Sequence, residues 1–91
     1  MRTVASIQEE RELSTKAYIL IETSVGKSRD VANTLRSLDG IETVDAVTGP
    51  YDIIAVVVAP DLNSVGDMVT SRIHTINGIV RTVTCLSVGS V

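Results

Sequence analysis

A short motif occurs twice in the chain, and it constrains the fold more than any other feature. Leu38-Asp39-Gly40-Ile41 recurs as Ile76-Asn77-Gly78-Ile79, each time between a helical pattern and an apolar run. A glycine directly after a helical pattern suits the left-handed position at which many helices end. The repeat therefore predicts two helix-to-strand junctions, and with them two βαβ units in tandem.

The segments around these junctions complete the pattern. The apolar run 17–23 predicts the first strand, and helical spacing begins at Ser28, the predicted N-cap. Asp61 is the predicted N-cap of a second helix. The apolar face of that helix is predicted to comprise Leu62, Val65, Met68, Val69, Ile73 and Ile76. The remaining strands are predicted over 41–48, 51–58 and 79–88.

This element order, βαββαβ, predicts one fold. Because each crossover is right-handed, two such units interleave into a four-stranded antiparallel sheet with both helices on one face. The fold class is therefore α+β, ferredoxin-like. The domain is predicted to cover residues 17–91, and residues 1–16, polar and charged, are interpreted as a tail or a short helix.

Charge and cysteine content exclude several classes of function. The net charge of −3 gives the chain no general attraction for phosphate backbones or anionic lipid surfaces, so we expect no direct nucleic-acid binding and no membrane association. A single cysteine, Cys85, fits a reducing compartment. The N-terminus is not a signal peptide, and no apolar run is long enough to cross a bilayer. We expect a soluble, cytoplasmic protein.

The first and third predicted strands are apolar on both sides. Tyr18 and Leu20 oppose Ile19 and Ile21, and the run 53–58 contains no polar residue. Since two helices cover only one face of a sheet, the other face would expose an apolar patch of a kind that is rare in monomers. This predicts a homo-oligomer in which a second sheet packs on the first. The alternative is that the N-terminal tail covers this face.

Few residues of the chain are suited to catalysis. His74 and Cys85 are the only histidine and cysteine and lie apart in the chain, so no metal set or nucleophile pair is predicted, and no glycine pattern indicates a cofactor. Cys85 is interpreted as a buried, small apolar residue. The chain is therefore predicted not to be an enzyme and to need no cofactor.

One loop, Thr48-Gly49-Pro50-Tyr51-Asp52, carries more information. Gly49 allows a ligand to approach the backbone closely, and the Asp52 carboxylate can accept hydrogen bonds from an ammonium group. The alternative is an ordinary hairpin in which Asp52 bonds its own turn. Thr82 and Thr84 are either strand formers of high propensity or the lining of a polar pocket at an interface.

Two segments resemble a known family. Val47-Thr48-Gly49-Pro50-Tyr51-Asp52 and the segment 76–84 are similar to the C-terminal effector (RAM) domain of the Lrp/AsnC family. The resemblance implies a sheet-mediated dimer, which often assembles further into an octameric ring, and a small-molecule effector such as an amino acid bound between subunits. It implies ligand binding by Gly49, Tyr51 and Asp52, and contributions from Thr82 or Thr84 of a neighbouring subunit.

The sequence departs from the family pattern in one respect. Family members bind DNA through a helix-turn-helix domain, which residues 1–16 are too short to supply. The interpretation is a stand-alone effector domain that regulates transcription by co-assembling with full-length Lrp/AsnC regulators. Two alternatives are a dimeric α+β-barrel enzyme, such as a monooxygenase or isomerase, and an ACT-type module. One histidine and few aromatic residues disfavour the enzyme, and the loop position disfavours the ACT module.

Overall fold

The structure is a computed structural model that describes residues 14–89. The strands are β1 (Thr15–Thr23), β2 (Ile41–Ala46), β3 (Ile53–Ala59) and β4 (Ile79–Leu86). The helices are α1 (Ser28–Arg36) and α2 (Leu62–Met68), and α2 continues into a π-helical segment, Val69–Ile73. The predicted order βαββαβ is confirmed. Of the predicted tail, residues 1–13 lie outside the described residues.

The four strands form one antiparallel sheet in the order β2-β3-β1-β4. Ile19 lies opposite Ala55 of β3 and Thr84 of β4, which sets the register of β1 against both of its neighbours. This is the predicted ferredoxin-like α+β fold. The two βαβ units interleave so that β1 and β3 are central, while β2 and β4 form the edges.

The core is aliphatic and lies between the sheet and the helices. Its buried members are Ala17, Ile19, Ile21, Val31, Ala32, Leu35, Val44, Ile53, Ala55, Val57, Ala59, Val65, Val69 and Ile73. Every second residue of β3 is buried, because successive strand side chains point to opposite faces. One predicted core position is wrong: Leu62, in the first turn of α2, is 57% exposed, since the buried face of this helix begins at Val65.

Of the two predicted helix caps, one is confirmed and the other is wrong. Asp61 is the N-cap of α2: its carboxylate accepts from the Ser64 N–H at 2.8 Å, and this bond lowers the pKa of Asp61 from its ordinary value. The Ser28 prediction is wrong. Ser28 is the first helical residue of α1, Lys27 occupies the cap position without a side-chain bond, and the Ser28 hydroxyl instead pairs with Thr23 Oγ1 at 2.7 Å.

The face of the sheet away from the helices, which we call the open face, is largely apolar. It carries Lys16, Tyr18, Leu20, Glu22, Thr43, Asp45, Ile54, Val56, Val58, Arg81, Val83 and Cys85. Within residues 14–89 both helices pack on the other face, and the apolar members here stay half-buried or exposed. The expectation that Cys85 is buried is wrong for the single subunit: its thiol is exposed, because β4 is an edge strand and Cys85 belongs to the open face.

Candidate functional site

The loop between β2 and β3 is held at its two ends by backbone hydrogen bonds. The Val47 N–H donates to the Asp52 carbonyl at 2.9 Å, and the Asp52 N–H donates to the Ile21 carbonyl of β1 at 2.9 Å. Between these anchors, Gly49 has φ +132°, a conformation that favours glycine, and a Cβ at this position would meet nothing within 4 Å. The loop thus presents open backbone beside a fixed carboxylate.

Asp52 joins three elements through its side chain. Its Oδ2 accepts from the Thr23 N–H at 2.8 Å and from the Thr23 hydroxyl at 3.2 Å. That hydroxyl also pairs with Ser28 Oγ at the start of α1. The Asp52 carboxylate therefore bonds the end of β1, whereas the ordinary-hairpin alternative requires it to bond its own turn. Within residues 14–89, its Oδ1 makes no hydrogen bond, which leaves one carboxylate oxygen for a donor on a ligand.

Tyr51, the residue before Asp52, contacts a side chain two strands away. The guanidinium of Arg81 lies over the Tyr51 ring, 5.3 Å from the ring centroid, and donates to the phenol oxygen at 3.3 Å. Arg81 Nε also lies 3.5 Å from the carboxylate of Glu22, its register partner on β1. Sequence reasoning did not identify Arg81 or Glu22. Arg81 and Glu22 carry opposite charges at directly opposed positions, which could have identified them once the pairing of β1 with β4 is known.

Thr82 and Thr84 lie on the other side of the sheet. They oppose the buried residues Ile21 and Ile19, so both are on the helix-bearing face. The Thr82 hydroxyl pairs with His74 Nε2 at 2.7 Å, which links the end of the second helix to β4, while Thr84 makes no such contact with the helix layer. Within one subunit the structure thus brings Gly49, Tyr51 and Asp52 together but places the two threonines on the opposite face from Arg81.

The loop lies apart from the grooves that residues 14–89 form on the helix layer. Two grooves lie on the helix layer: one runs along α2 beside Asp39 and Pro60, and the other runs between the helices beside Thr34 and Asn77. Neither is lined by a loop residue.

Two further classes of site are absent from the part of the chain that the structure describes. No group of three or more His, Cys, Asp or Glu side chains is arranged to hold a metal ion there. No helix among these residues is long and apolar enough to cross a membrane.

Comparison with known proteins identifies the family. Residues 16–91 match the model of the Lrp/AsnC ligand binding domain. The chain belongs to this family. The family is a regulatory ligand-binding domain and not a catalytic one.

Individual relatives agree with this assignment. TTHA0845 from Thermus thermophilus is 30% identical with a TM-score of 0.80, and the match covers 85% of this chain and 96% of that one. The uncharacterized HTH-type transcriptional regulator PF0250 from Pyrococcus furiosus is 28% identical over 88 residues, 93% of this chain. The chain spans 59% of the length of that regulator.

A third similarity shows the fold alone. The structure of the transcriptional regulator NMB0573 from Neisseria meningitidis, described as a complex with L-Met, is 16% identical with a TM-score of 0.80. That match covers 100% of this chain and 58% of the regulator's chain.

Proposed function

We propose that this domain senses a small effector, an α-amino acid, and acts without catalysis as an oligomeric module in transcriptional regulation. The observation that supports it is the Asp52 carboxylate. One oxygen is used to anchor the loop to Thr23, and the other makes no hydrogen bond within residues 14–89. Family membership supports ligand binding, and the L-Met complex of the Neisseria regulator supports an amino acid as the class of effector.

The loop offers the groups that an amino acid needs. The ammonium group donates to Asp52 Oδ1, a charge-assisted bond stronger than a neutral one. The open backbone around Gly49 allows the carboxylate of the effector to approach the loop amides closely. The ring of Tyr51 supplies an apolar wall for the side chain. Thr82 or Thr84 contributes a hydroxyl from a neighbouring subunit; because both lie on the helix-bearing face, that subunit must approach from the helix side or the β4 edge and not through its open face.

Assembly is the second part of the proposal. The open face is apolar at the two central strands, and a second copy of the same sheet covers it in a homodimer, with an octameric ring as the larger closed form. TTHA0845 is matched over 96% of its length, so in that chain the domain occurs without a DNA-binding domain beside it. Such a form acts on transcription by co-assembling with full-length Lrp/AsnC regulators.

The contacts of Asp52 decide which variants test the site. Asp52→Ala removes the acceptor of the Thr23 N–H, so it destabilises the fold by about 1–3 kcal/mol even without a ligand. Asp52→Asn keeps an oxygen that can accept this bond but removes the charge that pairs with an ammonium group. Asp67→Asn, at an exposed position of α2 away from the loop and the open face, is the matched control for loss of one negative charge.

The experiment is a thermal-shift screen of the twenty amino acids, followed by the two variants with the best effector. At 100 times its dissociation constant, an effector stabilises the wild type by about 2.7 kcal/mol. We expect Asp52→Asn to unfold near the wild-type temperature without effector and to bind more than about tenfold more weakly. Asp67→Asn should behave as the wild type. An undiminished shift in Asp52→Asn would remove Asp52 from the site, and a wild type that no amino acid stabilises would refute the proposed effector class.

A further inference from the structure

Glu22, Arg81 and Tyr51 form a row across the end of the sheet. Glu22 belongs to β1, Arg81 to the adjacent edge strand β4, and Tyr51 to the loop that leads into β3 on the other side of β1. The guanidinium is at the centre of this row. It contacts the Glu22 carboxylate at 3.5 Å through Nε and the Tyr51 phenol oxygen at 3.3 Å through a terminal nitrogen.

This row contributes little to the stability of the fold. Arg81 and Glu22 are 59% and 41% exposed, and ion pairs of such exposure stabilise proteins weakly. Its effect on Tyr51 is more specific. The ring lies outside the core cluster, and within residues 14–89 its only polar and cation–π contacts are with Arg81. The backbone bonds at Val47 and Asp52 hold the loop, and Arg81 adds a contact to the half-buried Tyr51 side chain itself.

We propose that Arg81 is a positioning residue of the effector site: oriented by Glu22, it holds the Tyr51 ring beside the Asp52 carboxylate. This inference rests on the proposed function, in which Tyr51 forms the wall for the side chain of the effector. Fixing the ring before binding lowers the ordering cost that the effector must overcome. Arg81 thus acts on affinity and on selectivity between effector side chains through Tyr51.

The first test needs no effector. The chain contains two tyrosines and neither tryptophan nor phenylalanine, so Tyr18→Phe leaves Tyr51 as the single phenol. In this background Tyr51 should show a tyrosine near-ultraviolet circular dichroism band, the signature of a fixed ring. We expect Arg81→Ala to reduce this band to less than half. Arg29→Ala, which removes an exposed positive charge from α1, should leave it unchanged. A band that survives Arg81→Ala unaltered would overturn the inference.

The second test measures affinity for the best amino acid from the screen, by calorimetry. We expect Arg81→Ala to weaken binding about five- to tenfold, the combined effect of one cation–π contact and one hydrogen bond. Arg81→Ala should cause no further loss in a Tyr51→Ala background, because a residue that acts through Tyr51 has no effect once the ring is gone. Arg81→Lys, which keeps the charge without the planar fork, should recover only part of the affinity.

The outcomes separate this inference from the proposed function. A wild type and an Arg81→Ala variant that bind the amino acid equally well would refute the positioning role and leave the effector site intact. Additive losses in Arg81→Ala and Tyr51→Ala would also refute it, since they would show that Arg81 acts independently of the ring. If no amino acid binds the wild type, the proposed function fails, and the dichroism band still decides whether Arg81 fixes Tyr51.

Discussion

Replacing Gly78 by alanine tests how tightly the second helix-to-strand junction packs. Gly78 has φ +104°, and a Cβ at this position would lie 2.8 Å from the Cβ of Lys27 and 3.1 Å from Cγ2 of Val31. Val31 is completely buried in α1, so it cannot yield without a shift of the core. The Gly78 carbonyl also accepts from the Ser24 N–H at 2.8 Å, which holds this junction against the loop before α1.

The magnitude has two parts. A non-glycine residue in a left-handed conformation costs roughly 1–2 kcal/mol. Crowding against the buried Val31 adds about 1–3 kcal/mol, the usual range for extra volume in a packed core. We therefore expect Gly78→Ala to lower the free energy of unfolding by about 2–5 kcal/mol, a large part of the roughly 5–15 kcal/mol that is typical of whole domains.

Gly26→Ala is the matched control for the conformational cost of a side chain at positive φ. Gly26 has φ +79°, but a Cβ there meets nothing within 4 Å, so only the conformational cost of roughly 1–2 kcal/mol applies. The assay is urea unfolding of both variants at one fixed protein concentration, because the stability of an oligomer depends on concentration. Equal losses in the two variants would show that the contact with Val31 carries no cost and would refute the packing argument.

Three further predictions concern the cap, the open face and the thiol. Asp61→Ala should lower the melting temperature, because it removes the bond to the Ser64 N–H. This bond lowers the pKa of Asp61, so its contribution to stability is present above pH 3.8 and is lost as the pH falls through the lowered pKa. The melting temperatures of the variant and the wild type should therefore converge in acid. Val56→Lys should shift light scattering to the monomer mass by placing a charge in the proposed subunit interface, whereas Asn33→Lys on α1 should not. Cys85 should react with alkylating reagents at protein concentrations where the chain is monomeric and become protected as the concentration rises.

Much of the fold could be predicted from the sequence because its signals are local. The apolar runs and the helical spacing set the order of the elements, and the repeated glycine marks both junctions, where Gly40 and Gly78 do have positive φ. Asp61 was predicted for the same reason, since a cap bonds an amide three residues away. Signals of this kind need no knowledge of distant parts of the chain.

The wrong predictions at Ser28 and Leu62 are local and concern where a helix or its buried face begins, whereas the other wrong and missing predictions depend on parts of the chain that are distant in the sequence. The Asp52 carboxylate bonds Thr23, 29 positions earlier, and Arg81 reaches Tyr51, 30 positions earlier. Cys85 was expected to be buried because its strand is apolar, but exposure depends on whether a strand is central or at an edge, which only the sheet order reveals. A candidate site built from such contacts can be located from the sequence, but its hydrogen-bond partners cannot.

The proposed function has one thermodynamic consequence. Asp52 is bonded to Ile21 and Thr23 of β1, and the same strand contributes Tyr18 and Leu20 to the open face. In the proposed function, association with a second subunit completes the site that the effector occupies. Since linkage is reciprocal, each effector that binds the assembled form more tightly must strengthen assembly by the same factor. With one effector at each of the two loops of a dimer, a tenfold difference in affinity at each site would raise the dimer association constant about a hundredfold, which would make assembly itself the output of the sensor.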